Sequence, residues 1–236
     1  MMNAKLKLGT FLSLASPTVA EVCGKYPFDW ILIDGEHGAG ASEDAVFRIL
    51  QAMGPTKAKK IVRLGEPSHA AIQHALDWGA DGLMIPHVDS PEIARRALDS
   101  MLYPPKGRRG YSRSVRTFGY GTALPEVPPK PILFAQIETE EAVDNVEKIA
   151  AVDGVDVLFV GPADLGFDLK ARGSKRTLDD CLPVVASAAL AAGKFAGILT
   201  RDDADIAKRL SLGYTYQAVD SDLGILRRRW KELTDS

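Results

Sequence analysis

Two cysteines among 236 residues cannot build a disulfide framework, and Cys23 and Cys181 each fall inside a helix-like apolar pattern. Both read as core thiols of a protein in a reducing compartment. No apolar run approaches the ~18 residues that a membrane-crossing helix requires. Met1–Lys7 has neither a long apolar core nor a small-residue cleavage site, so it does not read as a secretory signal, and a cytoplasmic location is expected. Neither sign of charge is in excess: the net charge is −2, and the one dense basic run is Arg227-Arg228-Arg229. A run that short, on what reads as the last helix, is a solvated face or a subunit contact, and no nucleic-acid partner is expected. A dinucleotide fingerprint is missing too, since Gly9 and Gly24 are too far apart to form one after the first strand. No strand ends in lysine: Lys60 and Lys194 precede their strands, which places them away from the face where a Schiff-base aldolase needs its amine.

Present instead is a regular alternation of apolar runs with amphipathic segments, repeated eight times. The strands are expected at Lys7–Ser13, Asp29–Asp34, Lys60–Leu64, Gly82–Val88, Ile132–Glu138, Val155–Gly161, Phe195–Thr200 and Thr215–Val219. Ser16-Pro17, Ser68, Ser90-Pro91, Thr139 with Glu140-Glu141, and Arg201-Asp202-Asp203 supply helix starts through capping oxygens, early proline and early acids. Gly24, Gly79, Gly193 and Gly213 supply stops. Eight strand–helix units in this length predict a single (β/α)8 barrel over residues 1–236, with an open doubly wound sheet as the alternative. The one long connection, Tyr103–Pro131, is expected beside the strand ends that carry carboxylates, because long loops inside compact domains are usually functional or disordered.

Those strand ends hold the chemistry. The run Phe28-Asp29-Trp30-Ile31-Leu32-Ile33-Asp34-Gly35-Glu36-His37-Gly38 stops abruptly in two carboxylates and an imidazole. Gln136-Ile137-Glu138-Thr139 and Val160-Gly161-Pro162-Ala163-Asp164 also end in acids. In a barrel the active site lies at this end, so the candidates are Asp34, Glu36, His37, Arg63, His87, Gln136, Glu138, Asp164, Arg201 and Asp220. Glu138 and Asp164 either converge on a hard divalent cation such as magnesium or manganese, or cap the helix near Thr139 and the turn after Pro162. Arg63 either grips a substrate carboxylate through paired hydrogen bonds or closes a barrel-mouth salt bridge. His37 is the acid/base candidate because its ordinary pKa lies near neutrality. His87 lacks an acidic cluster in sequence and reads as structural; His69 and His74 fall in the third helix and are excluded.

At these residues the sequence closely resembles the HpcH/HpaI family of metal-dependent pyruvate aldolases, which includes the 4-hydroxy-2-oxoheptanedioate and 2-dehydro-3-deoxyglucarate aldolases. The matching signatures are Phe28-Asp29-Trp30 through His37, Val62-Arg63, Tyr103-Pro104-Pro105 through Arg109-Gly110, Gln136 through Thr139, and Gly154-Val155-Asp156 through Gly161-Pro162-Ala163-Asp164-Leu165. The resemblance implies a lyase that reversibly cleaves 4-hydroxy-2-oxo acids to pyruvate and an aldehyde. It implies that Glu138 and Asp164 hold magnesium or manganese, with cobalt also compatible. Arg63 would stabilise the enolate oxygen, Gln136 and Gly161-Pro162-Ala163-Asp164 would line the pyruvate pocket, and His37 would serve the hydroxyl proton.

The family pairs its histidine with an aspartate that matches Asp77. Asp77 is expected to close a helix running toward the opposite face, so a neighbouring subunit would have to supply it. The resemblance thus implies a homo-oligomer, a trimer or hexamer. Departures from the family pattern are Asp220 where glycine is usual, Phe11 where tryptophan is common, and the segment Gly166–Gly173. Two other readings stand beside the aldolase: an acyl-CoA lyase of the citrate-lyase β type, for which Lys106, Arg108 and Arg109 would form a basic groove, and a non-catalytic binding protein on a barrel scaffold.

Overall fold

Eight parallel strands pair in chain order and close on themselves, β1 joining β8. They are β1 Lys7–Leu12, β2 Trp30–Gly35, β3 Lys59–Leu64, β4 Gly82–Ile85, β5 Ile132–Ile137, β6 Val157–Val160, β7 Phe195–Thr200 and β8 Tyr214–Ser221. Ten helices among the described residues run outside: α1 Pro17–Cys23, α2 Glu43–Ala52, α3 His69–Asp77, α4 Pro91–Met101, α5 Glu140–Asp144, α6 Val146–Ala150, α7 Pro162–Ala171, α8 Leu178–Ala191, α9 Asp203–Ser211 and α10 Asp222–Thr234. This computed structural model describes residues 5–126 and 129–235. Expectations that touch residues 1–4, or Val127 and Pro128 of the long connection, lie outside the described residues.

The expected barrel is present, and each strand lies within a few residues of its expected span. β4 stops at Ile85 rather than Val88, because Pro86 follows and His87 takes a left-handed φ of 49°. The caps behave as their chemistry dictates. Ser16, Ser68, Thr139 and Asp202 each accept the backbone N–H three residues on, whereas Ser90 makes no side-chain bond and leaves the start to Pro91. Gly79, Gly193 and Gly213 end their helices at positive φ, whereas Gly24 stays right-handed at −63°. Both cysteines are free thiols; Cys181 is buried, but Cys23, the last residue of α1, is only half-buried.

Period-2 alternation sends one set of side chains into the barrel. Phe11, Trp30, Leu32, Ile61, Met84, Phe134, Val157, Phe159 and Ala218 form that inner cluster, while the other set packs under the helices in a larger layer. Glycines make room for the inner aromatics. A Cβ on Gly9 would overlap the Trp30 indole, and one on Gly197 would lie 2.6 Å from the Phe159 ring. Gly9→Ala is therefore expected to lower stability by about 1–3 kcal/mol, seen as a lower urea midpoint with an unchanged slope.

The amino-terminal face carries a repeated fastening. Asp29, Asp81 and Asp156 stand just before β2, β4 and β6, and each accepts a backbone N–H from the preceding strand, at Leu8, Lys60 and Leu133. Each also pairs with lysine: Lys7, Lys59 and Lys60, and Lys130, respectively. Lys60 is thereby committed to the structural face. The opposite, carboxyl-terminal face is where the inward registers of β2, β3 and β5 end in Asp34, Arg63 and the Gln136–Glu138 pair.

Candidate active site

At that face the inward positions of β2 and β3 end in Asp34 and Arg63, which are paired in register. Arg63 donates from Nε to Asp34 Oδ1 at 3.0 Å and from Nη2 to Asp34 Oδ2 at 2.8 Å, and its Nη1 lies 2.9 Å from Glu36 Oε2. The barrel-mouth salt bridge exists, and both main partners are buried. Although burial pushes the Asp34 carboxyl up, the Arg63 guanidinium and the N–H groups of His37 and Glu36 outweigh it and hold the acid below the usual carboxylate range. Two of the five guanidinium N–H groups are hydrogen-bonded to Asp34, and Nη1 is held against Glu36 as an ion pair. The Phe11 ring underlies the guanidinium, 5.6 Å from its centroid to Arg63 Cζ.

Glu138 is 2% exposed and caps nothing, since Thr139 caps α5. Its Oε1 accepts the His87 backbone N–H at 2.7 Å and lies 3.3 Å from His87 Nδ1; its Oε2 accepts from Gln136 Nε2. Burial pushes the Glu138 carboxyl above its ordinary value, and the charges of Glu36 and Asp164 add to the rise against the opposing pull of His87. Asp164 sits in the first turn of α7, exposed, with Gly161 as N-cap and no side-chain cap bond. The alternative expectation, that these two acids are helix caps, therefore does not hold.

The cluster is short of positive charge. Gln136 Oε1 is buried without a hydrogen-bond partner among the described residues, beside the buried carboxylate. Gly161 lets the chain close over both, because a Cβ there would stand 3.0 Å from Glu138 Oε2 and 3.1 Å from Gln136 Nε2. Among the described residues no group of three or more His, Cys, Asp or Glu is placed to hold a metal. Two carboxylates with the remaining positions left to water or substrate suit magnesium or manganese, which keep several such ligands.

A cleft of about 620 Å³ opens over these strand ends, lined by Phe11, Asp34, His37, Arg63, Gln136 and Gly161-Pro162-Ala163-Asp164, with Arg201 and Asp205 on the far wall. His37 is well exposed, its Nε2 3.8 Å from Glu36 Oε2. Asp220 adopts a left-handed φ of 56° and pairs with Arg228, which ties β8 to α10. Of the basic run, Arg229 pairs with Glu232. His87, a strand-end candidate that the sequence marks as structural, contributes the backbone N–H that its left-handed turn presents to Glu138. Nothing in a Pro86-His87 pair announces that turn.

Two expectations are corrected. The long connection lies at the opposite end of the barrel, because it follows the carboxyl end of α4 and feeds the start of β5. Its Tyr103, Arg109, Arg116 and Lys130 border a second cleft with Lys59, Lys60 and Asp81. Hence the basic groove proposed for Lys106, Arg108 and Arg109 does not adjoin the carboxylates. Arg108 pairs with Asp99 at 2.6 Å, and buried Arg109 pairs with Asp77 at 2.6 Å while stacking on Tyr103. Asp77 closes α3 at that far face, as expected, and the single chain does not bring it to His37. Arg109 offsets the unfavourable placement of an acid at a helix carboxyl end.

Comparison with known proteins finds similarity in sequence and in fold. The family model described as HpcH/HpaI aldolase/citrate lyase matches residues 7–228. A 4-hydroxy-2-oxovalerate aldolase of Novosphingobium aromaticivorans is 39% identical, the match covering 98% of this chain and 93% of that protein. A 5-keto-4-deoxy-D-glucarate aldolase of Shigella sonnei is 35% identical over 98% of this chain and 92% of its own. The crystal structure of an HpcH/HpaI aldolase/citrate lyase family protein from Burkholderia cenocepacia superposes with a TM-score of 0.90 at 31% identity, covering 99% of this chain and 95% of the other.

Proposed function

This chain belongs to the HpcH/HpaI aldolase/citrate lyase family, and on that premise we propose that it is a metal-dependent aldolase that reversibly cleaves 4-hydroxy-2-oxo acids to pyruvate and an aldehyde. The observation that carries the reading is the buried, proton-favouring Glu138 beside an unpartnered Gln136 oxygen and an uncommitted Asp164, next to a guanidinium that buried acids hold in place. Glu138 and Asp164 are the residues that would hold the divalent cation, magnesium or manganese by their oxygen donors, with cobalt also compatible. When bound, that cation supplies Lewis acidity for the 2-oxo group and charge to offset the acids.

The chain's own residues do the rest. Gln136 and the backbone of Gly161-Pro162-Ala163-Asp164 hold the pyruvate portion of the substrate. His37, at the exposed lip of the cleft, takes the proton of the 4-hydroxyl group, directly or through water. The C3–C4 bond then breaks, the aldehyde departs, and the electron pair moves into the enolate of pyruvate, which takes a proton at C3. The N–H groups of Arg63 that Asp34 does not bind stabilise the negative charge at the former 2-oxo oxygen, and because Asp34 and Glu36 fix the fork beforehand, little reorganisation is needed as that charge develops. Asp77 of a second copy is the proposed partner of His37, which makes the active form a homo-oligomer, a trimer or hexamer. The cytoplasm remains the proposed location; no helix among the described residues is long and apolar enough to cross a membrane.

The test is pyruvate release from 4-hydroxy-2-oxovalerate and 5-keto-4-deoxyglucarate, coupled to lactate dehydrogenase. Release from at least one acid should stop with chelator and return with magnesium or manganese; chelator-insensitive release, or none from either acid, contradicts the proposal. His37→Ala should abolish this cleavage yet leave α-proton exchange of pyruvate intact, and unchanged cleavage would remove His37 from the mechanism.

A further inference from the structure

We propose that Arg201 is a specificity-determining residue that selects acceptor aldehydes bearing an oxyanion, a carboxylate or a phosphate, at the end remote from the carbonyl. The inference rests on the aldolase reading above and extends it to the half of the substrate that becomes the aldehyde. Alternation along β7 sets the position. Gly197 faces the Phe159 ring and Leu199 packs against the inner cluster, so Arg201, one residue past the end of β7, follows the inward register, and it lines the cleft, its strand standing across the closed barrel from β3 and Arg63.

Every other cleft-lining guanidinium is spoken for. Arg63 is bound by Asp34 and Glu36, and Arg209 by Asp205 at 2.9 Å and Asp179 at 3.5 Å. Of the acids near Arg201 in sequence, Asp202 accepts the Asp205 N–H as the cap of α9, Asp205 accepts the Arg201 backbone N–H while pairing with Arg209, and Asp203, exposed in the first turn of α9, makes no ion pair with Arg201 among the described residues. The Arg201 guanidinium itself has no ion-pair partner among the described residues and is exposed to the cleft. A planar cation with its whole fork free matches a carboxylate or phosphate through two parallel hydrogen bonds. Leu178, Ile198 and Leu199 in the same lining offer a neutral tail only apolar contact, while Asp202, Asp205, Arg209 and Ser221 there are engaged in helix caps and ion pairs, which leaves Arg201 to read its charge.

The experiment measures kcat/KM for aldol addition of pyruvate to succinic semialdehyde, glyceraldehyde 3-phosphate, glyceraldehyde and propanal by the full chain with magnesium or manganese. Wild-type protein should favour at least one charged aldehyde over its neutral counterpart, and that arm identifies carboxylate or phosphate as the preferred group. In Arg201→Ala the charged-to-neutral ratio should fall roughly ten- to hundredfold, as expected for a lost charge-assisted hydrogen bond; Arg201→Lys should recover part of the ratio by keeping the charge without the fork. An unaltered ratio in Arg201→Ala, or a wild type with no preference for either charged aldehyde, overturns the assignment. Metal-dependent α-proton exchange of pyruvate alone separates the two failures: if exchange persists while the ratio does not respond, only the role of Arg201 is lost, and if exchange is absent the aldolase reading fails with it.

Discussion

Glu138→Gln is expected to fold at least as stably as the parent and yet turn over at least about a hundredfold more slowly, with weakened metal binding. The structural half follows from hydrogen-bond inventory. A glutamine oxygen can still accept the His87 N–H, and rotation of the Gln136 amide would present its unpartnered Oε1 to the new NH2 group. The electrostatic half follows from the raised pKa of Glu138. A carboxyl that binds its proton more tightly in the folded state loses native stability as pH rises from the unfolded value of about 4.3 through the folded one, and the deficit persists at neutrality. Glutamine carries no such charge, so thermal unfolding of the metal-free variant at pH 7 should occur at the same or a higher temperature than wild type. The variant's melting temperature should also respond less to pH across that window. A destabilised variant with normal turnover would mean that Glu138 is a structural acid.

Arg63→Ala is expected to damage fold and chemistry together, unlike Glu138→Gln. Removing the guanidinium leaves buried Asp34 and half-buried Glu36 close without compensation, at a cost of about 3–5 kcal/mol, and removes donors available to developing charge, worth roughly 10²–10³ in kcat. Arg63→Lys separates the effects. An ammonium retains the charge but cannot make the two-pronged bond to Asp34 seen here, so stability should largely return in urea titrations while kcat stays low. If Arg63→Lys restores kcat along with stability, the guanidinium acts only as a fastening.

Much of this was readable from the chain because period-2 alternation carries both fold and site. Phe134, Gln136 and Glu138 lie on one register, apolar in the barrel and polar at its mouth, and the same holds from Trp30 through Leu32 to Asp34 and from Ile61 to Arg63. What was not readable depends on where a connection emerges or on a single backbone turn. The Tyr103–Pro131 connection was expected at the carboxylate face on the strength of its length, but a segment that leaves a helix end to enter a strand belongs at the other face, and Arg109 accordingly meets Asp77. His87 looked structural because its neighbours in sequence are not acidic; its left-handed φ brings its N–H to an acid fifty-one positions away. For Arg63 the two readings left open were not exclusive, since the salt bridge is what positions the remaining donors. The resemblance supplied Asp77, which no local signal marked beyond an acid at the wrong end of a helix.

The most direct measurement is α-proton exchange of pyruvate into deuterated water, followed by NMR with and without chelator, because it asks for enolate formation and for no particular aldehyde. Loss of the methyl proton signal that requires magnesium or manganese, stops on chelation and is absent in Glu138→Gln is the predicted result. Exchange at the uncatalysed rate with metal present, or exchange indifferent to chelator, would contradict it.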